Sequence, residues 1–186
     1  AIGEYSLVQD TYNGIERDIP LTYYVRPGDT LKVPGSFSRI KEILAVYEDK
    51  FGAYDWNRIG YVGTGIGAME HATNIAYPNF CITGNSSYED LYAHEVSHRW
   101  FGGKVTCDKV EEMWINEGWA TFCANYYVEV LDDPQAYKLQ MRNMHADVLY
   151  SVHTEEGEYH PINNIPPEYT YGTSAYDRGA TIVQAL

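Results

Sequence analysis

The chain has 186 residues, of which 45% are hydrophobic and 21% are charged, as expected for one globular domain with a substantial core. Its net charge of −13, without clusters of lysine and arginine, argues against a nucleic-acid surface, and no apolar run approaches the ~18 residues of a membrane span. The three cysteines lack CxxC spacing, and their odd number leaves at least one unpaired. The cellular compartment therefore stays open, and no targeting signal is recognised.

The first third of the chain is predicted to be rich in β-structure. Alternating apolar residues and turn-forming residues carry that prediction, and helical spacing of apolar residues marks one helix among the strands. The predicted elements are a strand over 4–12, a turn at Asn13-Gly14, a strand over 19–27, a helix from about Ser36 to a stop at Gly52, and a strand over 57–63. Glycines and β-branched residues then indicate strand and loop as far as residue 85.

The rest of the chain is predicted to be mainly helical. Ser86 with Glu89, and Asp108 with Glu111, each form a capping-box pattern, and Asp133 precedes a proline at a tolerated first helical position. The predicted helices run from 86 to the Gly102-Gly103 pair, from 108 to 132, from 133 to about 157, and from about 174 onward. Strands followed by packed helices predict an α+β fold.

A pair of histidines in the first of these helices is a candidate metal site. In YAHEVSHRWFGG, His94 and His98 are four residues apart and project from one face of the helix. Two neutral imidazoles so placed can bind one Zn²⁺, and Glu95 would lie beside the metal. Taken alone, the motif leaves open that these are two surface histidines.

The second helix supplies a candidate third ligand. It contains WINEGWATF, in which Glu117 follows His98 with 18 residues between them. The glycine pair and the Asp108 cap allow the chain to reverse within that interval. An unpaired carboxylate in this apolar, aromatic stretch would be costly, and a metal ion would relieve the cost. The alternative is an exposed helix glutamate.

These motifs resemble those of the gluzincin zinc peptidases. GAMEH at residues 67–71 is similar to the G-A/G-M-E-N motif of the aminopeptidase N family, which includes the leukotriene epoxide hydrolase branch. AYDRGA matches the family's Y-x-K-G-like segment, with Tyr176 at the tyrosine position and Arg178 where lysine is usual. The resemblance runs from residue 67 to 179, and it implies a thermolysin-like catalytic domain over residues 1–186.

The resemblance also implies a role for each matched residue. His94, His98 and Glu117 would hold one Zn²⁺, which lowers the pKa of water and polarises the scissile carbonyl. Glu95 would be the general base, and Tyr176 would hydrogen-bond the oxyanion. Tyr171 matches a tyrosine found in some family members.

GAMEH carries the implied specificity for a free N-terminus. In the family this glutamate binds the substrate's α-ammonium, so Glu70 would take that role, with the backbone of Gly67, Ala68 and Met69 alongside the substrate. His71 stands where asparagine is commonest, and its imidazole would keep a hydrogen bond or alter the pH dependence near the amine. The expected substrates are peptides with a free N-terminus.

Three alternatives stay open at this point. A thermolysin-type endopeptidase would use the same zinc site without an amine anchor, and an epoxide hydrolase is a remoter variant. A non-catalytic peptide-binding module would keep the fold without the reaction. We also expect the chain to be a segment of a longer protein, with an N-terminal β domain, for which residues 1–10 are a candidate tail, and a C-terminal helical domain. The isolated segment is expected to bind zinc but to hydrolyse substrates poorly.

Overall fold

The computed structural model describes residues 2–186, which fall into two compact units, residues 2–99 and residues 100–186. The first unit contains four strands, with helices between the second and third strands and after the fourth, whereas the second unit is helical. The α+β fold class predicted from the sequence is confirmed. No helix among residues 2–186 has the length and apolar character needed to cross a membrane.

A mixed four-stranded sheet forms the centre of the first unit. Its strands are β1 (Ser6–Asn13), β2 (Asp18–Val25), β3 (Ile59–Thr64) and β4 (Ile75–Pro78), in the order β1-β2-β3-β4. The β1–β2 hairpin is antiparallel, with Asn13 paired to Asp18, whereas β2–β3 and β3–β4 are parallel. The predicted strands are present, and the predicted Asn13-Gly14 turn lies in the loop that joins β1 to β2.

Three α-helices accompany this sheet: α1 (Val33–Ser36), α2 (Ile40–Phe51) and α3 (Glu89–Ser97). Two 3₁₀ turns also belong to this unit, at Pro27–Lys32 and Asn79–Cys81. The predicted start of a long helix at Ser36 is wrong, because Phe37 leaves the helical conformation before α2 begins at Ile40. Its ring instead packs in the core among tyrosines. The predicted stop is confirmed, since Gly52 ends α2 with φ of 90°.

Tyrosine hydroxyl groups hold α3 against the rest of this unit. Tyr61 of β3 donates to the carbonyl oxygen of Tyr92 at 3.0 Å, and Tyr77 of β4 donates to that of Tyr88 at 3.0 Å. Tyr47 of α2 donates to the carbonyl oxygen of Ala93 at 3.3 Å. Since these rings are also fully buried, each tyrosine contributes apolar packing and a polar contact to the position of α3.

The capping box predicted at Ser86 is wrong. α3 begins at Glu89, and no side chain caps it; the backbone carbonyl of Ser86 accepts from the Glu89 amide at 3.1 Å. The Glu89 carboxylate is bonded to Arg39 Nη1 at 2.9 Å, so it is engaged by a charge that lies far away in the sequence. The helix also ends earlier than predicted, at Ser97, with His98 as its C-cap residue.

The second unit is built from α4 (Trp114–Leu131), α5 (Pro134–Glu155) and α6 (Gly179–Gln184). A π-helical turn, Ser174–Arg178, leads into α6, and 3₁₀ turns cover Val110–Glu112, Ile162–Asn164 and Pro167–Tyr169. The start of α5 is confirmed: Asp133 accepts from the Gln135 amide at 2.9 Å and Pro134 follows it. The cap predicted at Asp108 is wrong, because a 3₁₀ turn intervenes and α4 begins six residues later without a side-chain cap.

Candidate metal centre

Helix α3 brings His94 and His98 together. Their Nε2 atoms are 3.2 Å apart, and the two rings meet edge to face at 81°. His98 is 1% exposed, and Ser97 turns its hydroxyl back onto the carbonyl oxygen of His94 at 2.7 Å. Two ring nitrogens this close face a common point, which is the geometry that the four-residue spacing predicts.

Glu95 lies on the same helix and is buried at 6% exposure. It follows one of the two histidines directly, and the aliphatic residues on either side of it, Ala93 and Val96, are fully buried. A carboxylate in such surroundings is poorly solvated.

Glu117 lies in the first turn of α4 and is 5% exposed. A carboxylate is favoured at this end of a helix by the partial positive charge of the unpaired amide groups. Its neighbour Asn116 fixes the loop that precedes the helix, because its Oδ1 accepts from the Cys107 amide at 3.0 Å and its Nδ2 donates to Thr106 Oγ1 at 3.1 Å. On the other side, Gly118 packs directly against the backbone of Gly179.

Together, His94, His98 and Glu117 form a group that could hold a metal ion. Each offers one ligand atom, and these atoms all lie within 4.8 Å of one another. Two ligands at zinc bond lengths in a tetrahedral site are about 3.3 Å apart, close to the separation of the imidazole nitrogens. Two imidazoles with one carboxylate leave a further coordination position open, so the donor set suits a catalytic zinc.

The GAMEH segment, residues 67–71, lies along the edge of β4. Met69 exchanges both backbone hydrogen bonds with Ala76, at 3.1 and 2.9 Å, as a single antiparallel bridge. The turn that follows contains Thr73 at φ of 62°, a left-handed conformation that is uncommon outside glycine. Gly67 is exposed, and a Cβ built on it would meet nothing within 4 Å. The backbone there is therefore open to an approaching molecule.

Glu70 and His71 differ in what surrounds them. The Glu70 side chain is half-buried, and its backbone carbonyl accepts a hydrogen bond from Nη2 of Arg99. His71 is exposed; its amide donates to the Met69 carbonyl oxygen at 2.9 Å. The sequence analysis did not identify Arg99, although an arginine beside a metal-site histidine in an otherwise apolar run was a usable signal.

Tyr176 lies within the π-helical turn, at the start of the last helical segment, and is half-buried, whereas Tyr171 is 61% exposed. The buried Glu156 carboxylate accepts from the Ser174 amide at 2.8 Å and so fixes the beginning of this turn. Burial raises the pKa of the neighbouring Asp177 to about 6, and the carboxyl groups of Asp147 and Glu155 add to that shift. The predicted oxyanion tyrosine thus lies within an unusual helical turn, next to an acid whose pKa is raised.

Comparisons with known proteins agree with the motifs. The peptidase family M1 domain matches residues 36–186. Aminopeptidase B of Rattus norvegicus is 29% identical over 160 residues, which cover 79% of this chain and 24% of that protein. Glutamyl aminopeptidase of Bos taurus is 30% identical over 190 residues, covering 91% of this chain and 20% of that protein.

The fold is shared with a solved structure. A mutant M1 zinc metallopeptidase from Deinococcus radiodurans, bound to a Tyr-Ser-Ala substrate, superposes with a TM-score of 0.76 at 21% identity, covering 96% of this chain and 40% of that one. The chain spans about a quarter or less of the length of the two aminopeptidases. The family domain matches most of the residues of this chain, and the motifs quoted above all lie within that match. This chain therefore belongs to peptidase family M1.

Proposed function

We propose that residues 1–186 form the catalytic domain of a zinc-dependent aminopeptidase, in which His94, His98 and Glu117 hold one zinc ion. The observation that carries the proposal is the convergence of these three ligand atoms within 4.8 Å, with the buried Glu95 between the two histidines in the sequence. When bound, zinc would supply a Lewis acid that makes water more acidic and polarises a carbonyl group.

Glu95 is proposed as the general base, the role that the family resemblance implies, and its burial on α3 supports this. A buried carboxylate on the helix that carries the two histidines would accept a proton from the attacking water and donate it to the departing amine. Tyr176 would donate its hydroxyl to the oxyanion that forms as the scissile carbonyl is attacked. Tyr171, which is exposed, is proposed only as a secondary contact.

Glu70 would bind the α-ammonium of the substrate. Its carboxylate is half-buried in a segment whose backbone is held by the Met69–Ala76 bridge, so a charged group is presented from a fixed edge. The open backbone at Gly67, with Ala68 and Met69, would lie along the substrate main chain. His71 is exposed at the end of this segment, where its imidazole would affect binding near the amine.

An endopeptidase of the thermolysin type is the second candidate, because the metal ligands alone do not distinguish it. The two enzymes differ in their need for a free amine. We expect the intact protein to cleave a free-amine peptide and to leave its N-acetylated twin almost untouched. Equal cleavage of both would reject the aminopeptidase proposal in favour of the endopeptidase.

The two carboxylates can be tested separately on the intact protein. With a panel of chromogenic aminoacyl amides, Glu95→Gln is expected to lower kcat by about 10²–10⁴, the usual contribution of a general acid–base group, with zinc retained. Glu70→Ala is expected to weaken binding of free-amine substrates selectively. Retention of full activity by Glu95→Gln would contradict the proposed mechanism.

A further inference from the structure

We propose that Arg99 is a positioning residue that fixes Glu70 at the correct place for the substrate amine. The inference rests on the proposed aminopeptidase function and deepens it. Arg99 follows the metal-site residue His98 directly, its side chain is 4% exposed, and its Nη2 donates to the backbone carbonyl of Glu70. One side chain therefore joins the amine anchor to the end of the helix that carries two metal ligands.

The guanidinium group of Arg99 is itself held in place. It lies over the Trp56 ring, 5.4 Å from the ring centroid, and Trp56 Nε1 donates to the Arg99 carbonyl oxygen at 3.3 Å. Arg17 Nη2 in turn donates to the carbonyl oxygens of Tyr54, Asp55 and Trp56. Because the tryptophan is fixed by its own neighbours, the arginine has a restricted range of positions, as a positioning residue requires.

The type of contact that Arg99 makes with Glu70 matters for binding. Arginine most often pairs with carboxylates, which match its fork of donors. Here it binds the carbonyl oxygen of Glu70, while the Glu70 and Glu95 carboxylates interact with it electrostatically. The buried Nε of Arg99 has no hydrogen-bond partner among residues 2–186. The backbone of Glu70 is therefore held by Arg99, while its side chain stays half-buried rather than enclosed.

Burying a guanidinium group is costly even with carboxylates near it, and a nonpolar residue would serve packing alone. The arrangement gains something that packing cannot supply, namely a fixed distance between Glu70 and the metal ligands. In an exopeptidase that distance determines which peptide bond lies at the metal. The turn has a second arginine contact, since Arg58 Nε donates to the Thr73 carbonyl oxygen at 3.1 Å. That contact does not touch Glu70, and it provides a matched control.

The test is a double-mutant cycle on the intact protein with an aminoacyl amide that has a free amine. Arg99→Gln is expected to raise KM about tenfold or more, the loss typical of a charged hydrogen bond, with kcat within about twofold. In the Glu70→Ala background the same substitution should change KM by less than about twofold, because its effect passes through Glu70. Arg99→Lys should recover part of the loss, and Arg58→Gln should change KM much less.

Zinc content and the midpoint of thermal unfolding are measured for every variant. Additive effects of Arg99→Gln and Glu70→Ala, or an equal effect of Arg58→Gln, would overturn the proposal, because either result indicates general loosening of the turn. If Arg99→Gln does not fold, the Arg99→Lys variant carries the same cycle, with an unchanged KM as the contrary outcome. Equal cleavage of N-acetylated substrate by the unmodified protein would instead reject the aminopeptidase function itself.

Discussion

The two helices that carry candidate metal ligands are held in place by different means. α3 has only nine residues. Its carbonyl oxygens accept hydrogen bonds from the hydroxyl groups of Tyr47 and Tyr61, and the carbonyl oxygen of the residue just before it accepts one from Tyr77. α4 has 18 residues and is positioned at its first turn by direct contact between the backbones of Gly118 and Gly179. A short helix is marginal alone and depends on such contacts, whereas α4 also buries Phe122, Cys123, Tyr127 and Val128 further along its length.

The largest effect is expected from removing one ligand from each helix. His98→Ala on α3 and Glu117→Ala on α4 should each reduce zinc affinity by more than the about 10–100-fold cost of losing an outer partner of a ligand. Activity should fall to background in both. Zinc content after dialysis, measured by mass spectrometry, checks the prediction. Retention of stoichiometric zinc by Glu117→Ala would show that α4 does not supply a metal ligand, and only α3 would then carry ligands.

The next-largest effect, on the free energy of unfolding, is expected at the glycine contact that positions α4. A Cβ built on Gly118 would lie 2.7 Å from two backbone atoms of Gly179, so Gly118→Ala must displace one of the two segments. We expect the free energy of unfolding to fall by about 1–3 kcal/mol, as for overpacked cores. Chemical denaturation measures it. Gly28→Ala is the matched control, because a Cβ there meets nothing within 4 Å; an equal loss in both variants would contradict the explanation.

Sequence patterns predicted the candidate group His94, His98 and Glu117 from its spacing along the chain, and the structure brings the three ligand atoms within 4.8 Å of one another. His94 and His98 needed only a helix at that position, and the structure brings their nitrogens to 3.2 Å. The start of α3 was predicted wrongly for the opposite reason. Ser86 and Glu89 fit a local capping pattern, yet the glutamate bonds Arg39, 50 residues away in the sequence. Long-range contacts of this kind override local preference.

A smaller loss in the free energy of unfolding is expected when one of the tyrosine hydroxyl contacts to α3 is removed. Tyr61→Phe removes the hydroxyl that donates to the Tyr92 carbonyl oxygen, while the ring remains packed. The expected loss is about 1 kcal/mol in the free energy of unfolding, the usual contribution of one neutral hydrogen bond. Denaturant titration checks it, with the 77% exposed Tyr150→Phe as control. A loss as large as that of Gly118→Ala would show that the hydroxyl contacts hold α3 as strongly as the glycine contact holds α4.

Other parts of the site could not be predicted from spacing. Arg99 lies in a recognisable motif, but its bond to the Glu70 carbonyl joins residues 29 apart through a turn that no local pattern specifies. The π-helical turn around Tyr176 likewise has no simple sequence signature. Its geometry depends on contacts such as the one from Glu156 to the Ser174 amide. Contacts between residues far apart in the sequence were therefore missed, whereas residues in recognisable motifs were predicted.

The smallest effect concerns a titrating group next to that turn. Burial and the carboxyl groups of Asp147 and Glu155 raise the pKa of Asp177 from 3.8 to about 6. Between these two values the folded state holds more protons than the unfolded state, so the free energy of unfolding falls as pH rises from about 4 to 6 and the penalty remains above 6. Partial exposure screens it, and we expect Asp177→Asn to gain at most about 1 kcal/mol at pH 7.5 and nothing at pH 4.

Denaturation at several pH values measures this difference against the unmodified protein. The effect should be confined to the coupled acids: Asp147→Asn, which removes the carboxyl group that hydrogen-bonds Asp177, should flatten the pH profile in the same direction. The exposed Asp108→Asn is the control and should leave the profile unchanged. Parallel profiles for Asp177→Asn and the unmodified protein would show that this carboxyl group is ionised normally in the fold. The fold of the second unit would then carry no pH-dependent penalty from this group.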